Sequence, residues 1–241
     1  MRVIRAGNYE ELSRVAAGII AAHVIKKPDS VLGLATGDSP LGLYKYLANW
    51  FGTGFIDFSE ASAINLDEYR GVAPDNTQSY RYFMETNLFS KINIKPENRH
   101  IPDGLAKDSN MECARYDSVI ESTGGIDLQL LGIGHNGHIG FNEPGSEFVM
   151  ATHVVDLSDD TINANSRFFE NPGDVPVQAY TMGIRAIIQS RAILLIIAGK
   201  QKAGIVKRAL YGSVSPDVPA SILQLHNNLT VVGDNDALSM I

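Results

Sequence analysis

The sequence predicts a three-layer α/β fold built on one doubly wound, mostly parallel sheet. Short apolar runs alternate with amphipathic segments along the 241 residues, which is the pattern of strands joined by crossover helices. Residues 192–198 are continuously apolar, as expected of a parallel strand covered on both faces. No Pro/Gly-rich linker or internal repeat divides the sequence, so we expect a single domain over residues 1–241.

The individual elements follow from hydrophobic periodicity. Strands are expected at residues 2–5, 31–35, 61–66, 126–131, 192–198 and 229–232. Helices are expected at residues 9–24, 40–50, 78–88, 111–122 and 201–211, with Pro40 in a first turn. Between residues 156 and 178 the pattern breaks in a polar stretch rich in Asn and Pro, and we expect an irregular lid segment there.

Composition excludes several classes of protein. Twenty Lys plus Arg against 27 Asp plus Glu give a net charge of −7, whereas nucleic-acid binding normally needs a basic face. The single cysteine, Cys113, excludes an intrachain disulfide and suits a reducing compartment. Because we find neither a cleavable leader nor a run of ~20 apolar residues, we expect a cytoplasmic protein without nucleic-acid or membrane partners.

The run GIGHNGHIGFNEP, residues 132–144, concentrates reactive side chains. It follows an apolar strand, and loops at the carboxyl ends of strands form the ligand crevice of open α/β sheets. His138 is therefore a candidate proton shuttle, with Asn136 and Glu143 close to it in sequence.

Two other interpretations of this loop fit its residues less well. Its glycines match the G-x-G-x-x-G pattern of dinucleotide-binding proteins, with Asp156 about 20 residues further on. However, Pro144 interrupts the chain before the helix that such a site requires can develop. A metal site from His135, His138 and Glu143 lacks the helical H-E-x-x-H geometry. We therefore expect no nucleotide, metal or other cofactor.

A second candidate site lies between the strand 31–35 and the helix 40–50. Here the backbone N–H groups and hydroxyls of a turn can bind an oxyanion such as a phosphate. The turn consists of Thr36, Gly37, Asp38 and Ser39. The alternative, that Asp38 or Ser39 merely caps the helix, stays open on the sequence.

Three further charged residues are candidates. Asp67 follows the strand 61–66, where a carboxylate can take a proton from carbon if a partly dry site raises its basicity. A solvated aspartate is the alternative. Arg167, in the expected lid, and Lys202, just after the strand 192–198, can together supply the cationic half of a phosphate clamp.

Six segments together resemble the glucosamine-6-phosphate deaminase family over nearly the whole chain. In order, they are LGLATGDSPLGLY, NLDEYRG, QSY, LGIGHNGHIGFNEP, NANSRFF and KQKA. The resemblance implies a Rossmann-like fold that uses no nucleotide. It also implies the conversion of glucosamine 6-phosphate and water to fructose 6-phosphate and ammonia.

The same resemblance implies a role for each matching residue. Asp67 would move the C2 proton toward C1, and His138, oriented by Glu143, would open the pyranose ring. The residues that would hold the phosphate are Thr36, Gly37, Asp38, Ser39, Arg167 and Lys202.

The chain departs from the family pattern in two places. Asn136 stands where many members have aspartate; an amide can orient the imidazole but cannot stabilise its protonated form as an anion does. Glu143 is thus expected to be the sole anionic partner of His138. Allosterically activated members have basic residues after the FNEP segment and a longer C-terminus. Here residues 151–156 offer only His153 as a cation and the sequence stops at Ile241, so we expect little or no activation by N-acetylglucosamine 6-phosphate.

Two other functions remain to be separated by experiment. 6-Phosphogluconolactonases share the fold, the phosphate turn and a glycine-histidine loop, although GHIGFNEP and NLDEYRG resemble the deaminases. Sugar-phosphate-sensing domains of transcription regulators bind without turnover, but they carry an additional DNA-binding module and a basic surface. A small sugar phosphate is the expected partner in each case, and the chain could act as a monomer or as a homo-oligomer.

Overall fold

The computed structural model describes residues 1–157, 162 and 176–241. Within this part of the chain, the strands are β1 (Arg2–Ala6), β2 (Val31–Leu34), β3 (Ser62–Asn65), β4 (Asp67–Tyr69), β5 (Arg99–His100), β6 (Leu128–Leu131), β7 (His153–Asp156), β8 (Gln178–Thr181), β9 (Ile193–Ile197) and β10 (Leu229–Asp234). Seven of them form a parallel sheet in the order β1-β10-β9-β6-β2-β3-β5. Helices flank this sheet, and the predicted fold class is confirmed.

The helices of the described residues are α1 (Tyr9–Lys26), α2 (Leu41–Gly52), α3 (Tyr80–Asn87), α4 (Ser109–Ser122), α5 (Ile184–Gln189) and α6 (Ala203–Tyr211). Most predicted boundaries are right to within two residues. Helix α1 begins where Asn8 accepts the N–H of Glu11 through its side chain, which satisfies one free amide of the first turn. Before α6, Lys200–Lys202 form a separate 3-10 turn. None of these helices is long and apolar enough to cross a bilayer.

A second, antiparallel sheet was not predicted. Its strand order is β4-β8-β7, and Asp67 lies opposite Thr181 in the β4-β8 ladder. The sequence predicts a single sheet, with Asp67 directly after the strand 61–66. Instead β3 ends at Asn65, and Asp67 starts a new strand after the single residue Leu66.

The large sheet reverses its winding direction at β2. Strand β3 pairs with one side of β2 and β6 pairs with the other. In an open α/β sheet, such a switch point leaves a crevice at the carboxyl ends of the two central strands. The side chains of β9, next to β6, are all buried, so the floor of this crevice is a packed core.

Candidate active site

A cavity of about 1250 Å³ opens at the crevice between the carboxyl ends of β2 and β6. Its walls come from the turn after β2, the start of β4, the loop after β6 and the segment after β9. The predicted site residues that line it are Thr36, Gly37, Asp38, Ser39, Asp67, Asn136, His138 and Lys202. Arg167 and most of the expected lid lie outside the described residues.

Tyr9 holds the turn after β2 in place. Its hydroxyl lies 2.9 Å from the carbonyl oxygen of Asp38 and 3.1 Å from that of Ser39, and it accepts the N–H of Gly42 at 2.9 Å. Helix α2 therefore obtains a first-turn partner from α1. The N-cap residue of α2 is Pro40, which forms no side-chain capping hydrogen bond.

Asp67 is a buried acid facing the cavity. It is 5% exposed, and its Oδ1 atom has no hydrogen-bond partner among the described residues. Burial, followed by the neighbouring charge of Glu68, raises the pKa of Asp67 to about 8. A carboxyl group with such a pKa is a far stronger base than a solvated aspartate, so it can accept and release a proton near neutral pH.

Glu68 anchors the strand that carries Asp67. It is 2% exposed, and its carboxylate accepts the N–H groups of Tyr69 at 2.8 Å and of Tyr80 and Arg81 at 2.9 Å. These bonds hold the start of α3 against β4. Burial raises the pKa of Glu68, and the three backbone N–H groups oppose that shift. Sequence reasoning missed this role, although Glu68 lies within the NLDEYRG segment.

The loop after β6 folds back on itself around His138. The N–H of Gly134 donates to the carbonyl oxygen of His138 at 2.9 Å. A β-carbon on Gly134 would lie 2.3 Å from the imidazole, so only glycine leaves room for the ring here. The residues that follow Gly137 form no helix before Pro144. The loop therefore lacks the helix N-terminus that binds the pyrophosphate in dinucleotide-binding proteins.

Glu143 connects the other two polar residues of the loop. Its Oε1 atom lies 3.4 Å from Nδ1 of His138, and its Oε2 atom accepts a 2.6 Å hydrogen bond from Nδ2 of Asn136. Asn136 also accepts the backbone N–H of His138 at 3.1 Å. The amide thus contacts the carboxylate and the backbone, and the carboxylate faces the imidazole.

Lys202 brings a cation to the same cavity. Its Nζ atom donates to the carbonyl oxygen of Ile133 at 2.8 Å, and burial lowers its pKa to about 8. His135 lines the cavity as well. Its pKa is lowered by burial, then by Lys202 and then by His138. An anionic ligand here would relieve this repulsion between positive charges.

The fold and the cavity define a small-molecule enzyme of the open α/β class, because polar and titratable groups converge at the switch point of a parallel sheet. The chain belongs to the family described as glucosamine-6-phosphate isomerases/6-phosphogluconolactonase, which matches residues 8–232. This match confirms the resemblance seen in the sequence motifs.

Individual relatives match the sequence over nearly all of its length. The chain is 59% identical over 232 residues to the glucosamine-6-phosphate deaminase of Lachnoclostridium phytofermentans, covering 96% of this chain and 98% of the relative. It is 50% identical over 241 residues to that of Halothermothrix orenii, covering all of both chains.

Solved structures give the same answer for the fold. A monomeric glucosamine-6-phosphate deaminase superposes with a TM-score of 0.97 at 47% identity, covering all of both chains. The 6-phosphogluconolactonase of Thermotoga maritima reaches a TM-score of 0.76 at 24% identity, over 97% of this chain and 98% of that one. The second likeness shows the shared fold alone.

Proposed function

We propose that the chain converts glucosamine 6-phosphate and water to fructose 6-phosphate and ammonia. The observation that carries this proposal is that one cavity contains a buried carboxylate, Asp67, an imidazole, His138, and a turn suited to an oxyanion. Relatives at 59% and 50% identity carry the same activity in their names.

The phosphate group binds at the turn Thr36–Ser39. Its oxygens accept hydrogen bonds from backbone N–H groups and hydroxyls of the turn, and the positive end of α2 adds to the attraction. Lys202, which lines the same cavity, supplies a positive charge, and Arg167 is proposed as a second cation. Fixing the phosphate places the sugar ring so that two different groups meet different atoms of it.

His138 opens the pyranose ring. It transfers a proton from the anomeric hydroxyl to the ring oxygen, which breaks the bond between C1 and the ring oxygen and leaves an aldehyde at C1. The imidazole is protonated between these two events, and the carboxylate of Glu143, 3.4 Å away, stabilises the imidazolium. Asn136 keeps that carboxylate in position through its own hydrogen bond.

Asp67 then moves a proton between carbons. It takes the proton from C2 while the C1 oxygen receives a proton from solvent water, which gives an enolamine. It then delivers the C2 proton to C1, which leaves a protonated imine at C2, and the extra proton returns to solvent when the imine is hydrolysed. Water adds to this imine and expels ammonia, giving the ketone at C2 of fructose 6-phosphate.

Ammonia release is the direct test. We expect ammonia from glucosamine 6-phosphate and none from unphosphorylated glucosamine at the same concentration, because the phosphate turn has nothing to bind in glucosamine. Hydrolysis of 6-phosphogluconolactone without ammonia release from the amino sugar would assign the chain to the other branch of its family. Asp67→Asn should still bind the sugar phosphate but lose turnover by roughly 10²–10⁴-fold. Unchanged turnover in Asp67→Asn would exclude Asp67 as the base.

The rate curve should be hyperbolic without any effector. Residues 151–156 contain no Lys or Arg, and the ring of His153 contacts the carbonyl oxygen of Ala151 at 3.0 Å. An effector phosphate would therefore lack a strong cation at this position. A sigmoidal curve made hyperbolic by N-acetylglucosamine 6-phosphate would contradict this expectation.

A further inference from the structure

Thr181, at the end of β8, contacts both elements that carry the proposed catalytic residues. It lies opposite Asp67 in the β4-β8 ladder. Its Oγ1 atom accepts the N–H of Phe141 at 3.0 Å, three residues after His138. Thr181 is fully buried, and Phe141 is 4% exposed, so water does not compete for this bond.

Met182 adds a second connection of the same kind. Its N–H donates to the carbonyl oxygen of Leu66 at 2.7 Å, directly before Asp67. Its carbonyl oxygen accepts Nδ2 of Asn142 at 2.9 Å. The end of β8 is thus bonded on one side to the strand of Asp67 and on the other to the loop of His138. The Met182 bonds use its main chain, whereas the Thr181 hydroxyl can be removed by substitution.

Gly140 shows how closely these elements approach. It has a φ of +59°, and a β-carbon there would lie 3.0 Å from Oγ1 of Thr181 and 3.5 Å from Oδ2 of Asp67. The loop therefore passes within contact distance of both side chains. A shift of the loop away from Thr181 would change the separation between the imidazole and the carboxylate.

We infer that Thr181 is a positioning residue, which sets the loop of His138 at a fixed distance from Asp67 through its bond to Phe141. The inference rests on the proposed function, because that function has His138 and Asp67 act on the same substrate molecule. Proton transfers at two atoms of one sugar tolerate little displacement, and an error of ~1 Å can cost about 100-fold in rate.

The test compares Thr181→Val with Thr181→Ser by steady-state kinetics on glucosamine 6-phosphate. Valine keeps the shape of threonine but leaves the Phe141 N–H without its acceptor. We expect kcat to fall by about 10- to 100-fold, with KM within about threefold because the Thr181 hydroxyl bonds Phe141 and not the phosphate turn. Serine keeps the hydroxyl, so it should restore kcat to within about threefold of the unmodified protein.

Thr152→Val is the matched control. Thr152, just before β7, is also buried, and its hydroxyl donates a hydrogen bond to the carboxylate of Asp117 in α4. It should lose stability to a similar degree, measured as the midpoint of thermal unfolding, while kcat stays within about twofold. Inhibition by inorganic phosphate should be equal in all variants, which reports an intact phosphate turn.

The outcomes distinguish failure of the proposed function from failure of the role of Thr181. No ammonia from the unmodified protein would overturn the proposed function and, with it, this inference. Ammonia from the unmodified protein, with kcat of Thr181→Val within twofold of it, would overturn the inference alone. A serine variant as slow as the valine variant would do the same. If Thr181→Val does not fold, Thr181→Ala carries the same test, and a kcat unchanged in Thr181→Ala counts against the inference.

Discussion

Nδ2 of Asn136 donates a 2.6 Å hydrogen bond to Oε2 of Glu143, and the other oxygen of that carboxylate lies 3.4 Å from Nδ1 of His138. The amide therefore orients the carboxylate, and the carboxylate places a negative charge beside the imidazole. Among the described residues, no other carboxylate forms an ion pair with His138. Asn136 thus gives the carboxylate that pairs with His138 a fixed direction.

Glu143→Gln should lower turnover by about 100-fold, because the protonated imidazole loses its stabilising charge. The pH dependence of kcat should change with it, while inhibition by inorganic phosphate, which reports the turn after β2, should not. Steady-state rates across pH measure both effects. If turnover and the pH profile were those of the unmodified protein, Glu143 would not be the partner of His138.

Much of the fold follows from regular hydrophobic periods. Strand β9 is apolar along its whole length, and the apolar positions of α1 recur every three to four residues. The antiparallel sheet has no such signal. Strand β4 has only three residues and begins one residue after β3 ends, while β7 and β8 flank the stretch where the pattern breaks.

The candidate site also combines features that the sequence indicates with features that it does not. The turn 36–39 and the loop 132–144 are contiguous in sequence, so their chemistry can be read from the residues. The contacts that hold them are long-range: Tyr9 with Asp38, and Thr181 with Phe141. A tyrosine at a helix start, or a threonine at the end of a short strand, does not indicate its distant partner in the sequence.

The pH dependence of kcat/KM should be bell-shaped with its maximum near pH 8. Asp67, whose pKa is raised to about 8, must lose its proton to act as a base, so activity falls as pH drops below that value. Lys202, whose pKa is lowered to about 8, must keep its proton to attract the phosphate, so activity falls as pH rises above it. Because kcat/KM reports the free enzyme, initial rates at low substrate concentration test this. A kcat/KM that stays constant from about pH 6 to about pH 10 would contradict the predicted bell shape.

Lys202→Arg should remove the alkaline side of this profile. Arginine stays protonated at every pH at which the protein is folded, so phosphate binding no longer weakens above pH 8. Lys202→Met should instead raise KM across the whole range. Retention of the alkaline fall in Lys202→Arg would assign that fall to another group.

Asp67→Asn should be more stable than the unmodified protein at pH 8 and above. The folded-state pKa of about 8 exceeds the ordinary value of 3.8, so between these values the folded state binds the extra proton. Stability therefore falls as pH rises through this window. Asparagine removes this dependence; a gain of about 1 kcal/mol would raise the unfolding midpoint by roughly 2–4 °C. Thermal unfolding at pH 5 and pH 9 measures it, and the gain should be smaller at the lower pH.

Tyr9→Phe should weaken phosphate binding without slowing the chemistry. The Tyr9 hydroxyl bonds the carbonyl oxygens of Asp38 and Ser39 and the N–H of Gly42, and its loss frees the turn to adopt other conformations. A net loss of about 1 kcal/mol, typical of one hydrogen bond, corresponds to an increase of about fivefold in KM and in the inhibition constant for inorganic phosphate.

The matched control for Tyr9→Phe is Tyr82→Phe, in α3, where the tyrosine is 39% exposed; both constants should stay within about twofold there. The Tyr9 hydroxyl bonds Asp38, Ser39 and Gly42 and neither Asp67 nor His138, so kcat of Tyr9→Phe should also stay within about twofold. A fall in kcat with unchanged phosphate inhibition would instead mean that Tyr9 acts on the reacting end of the sugar. In that case the turn after β2 would not be the phosphate site.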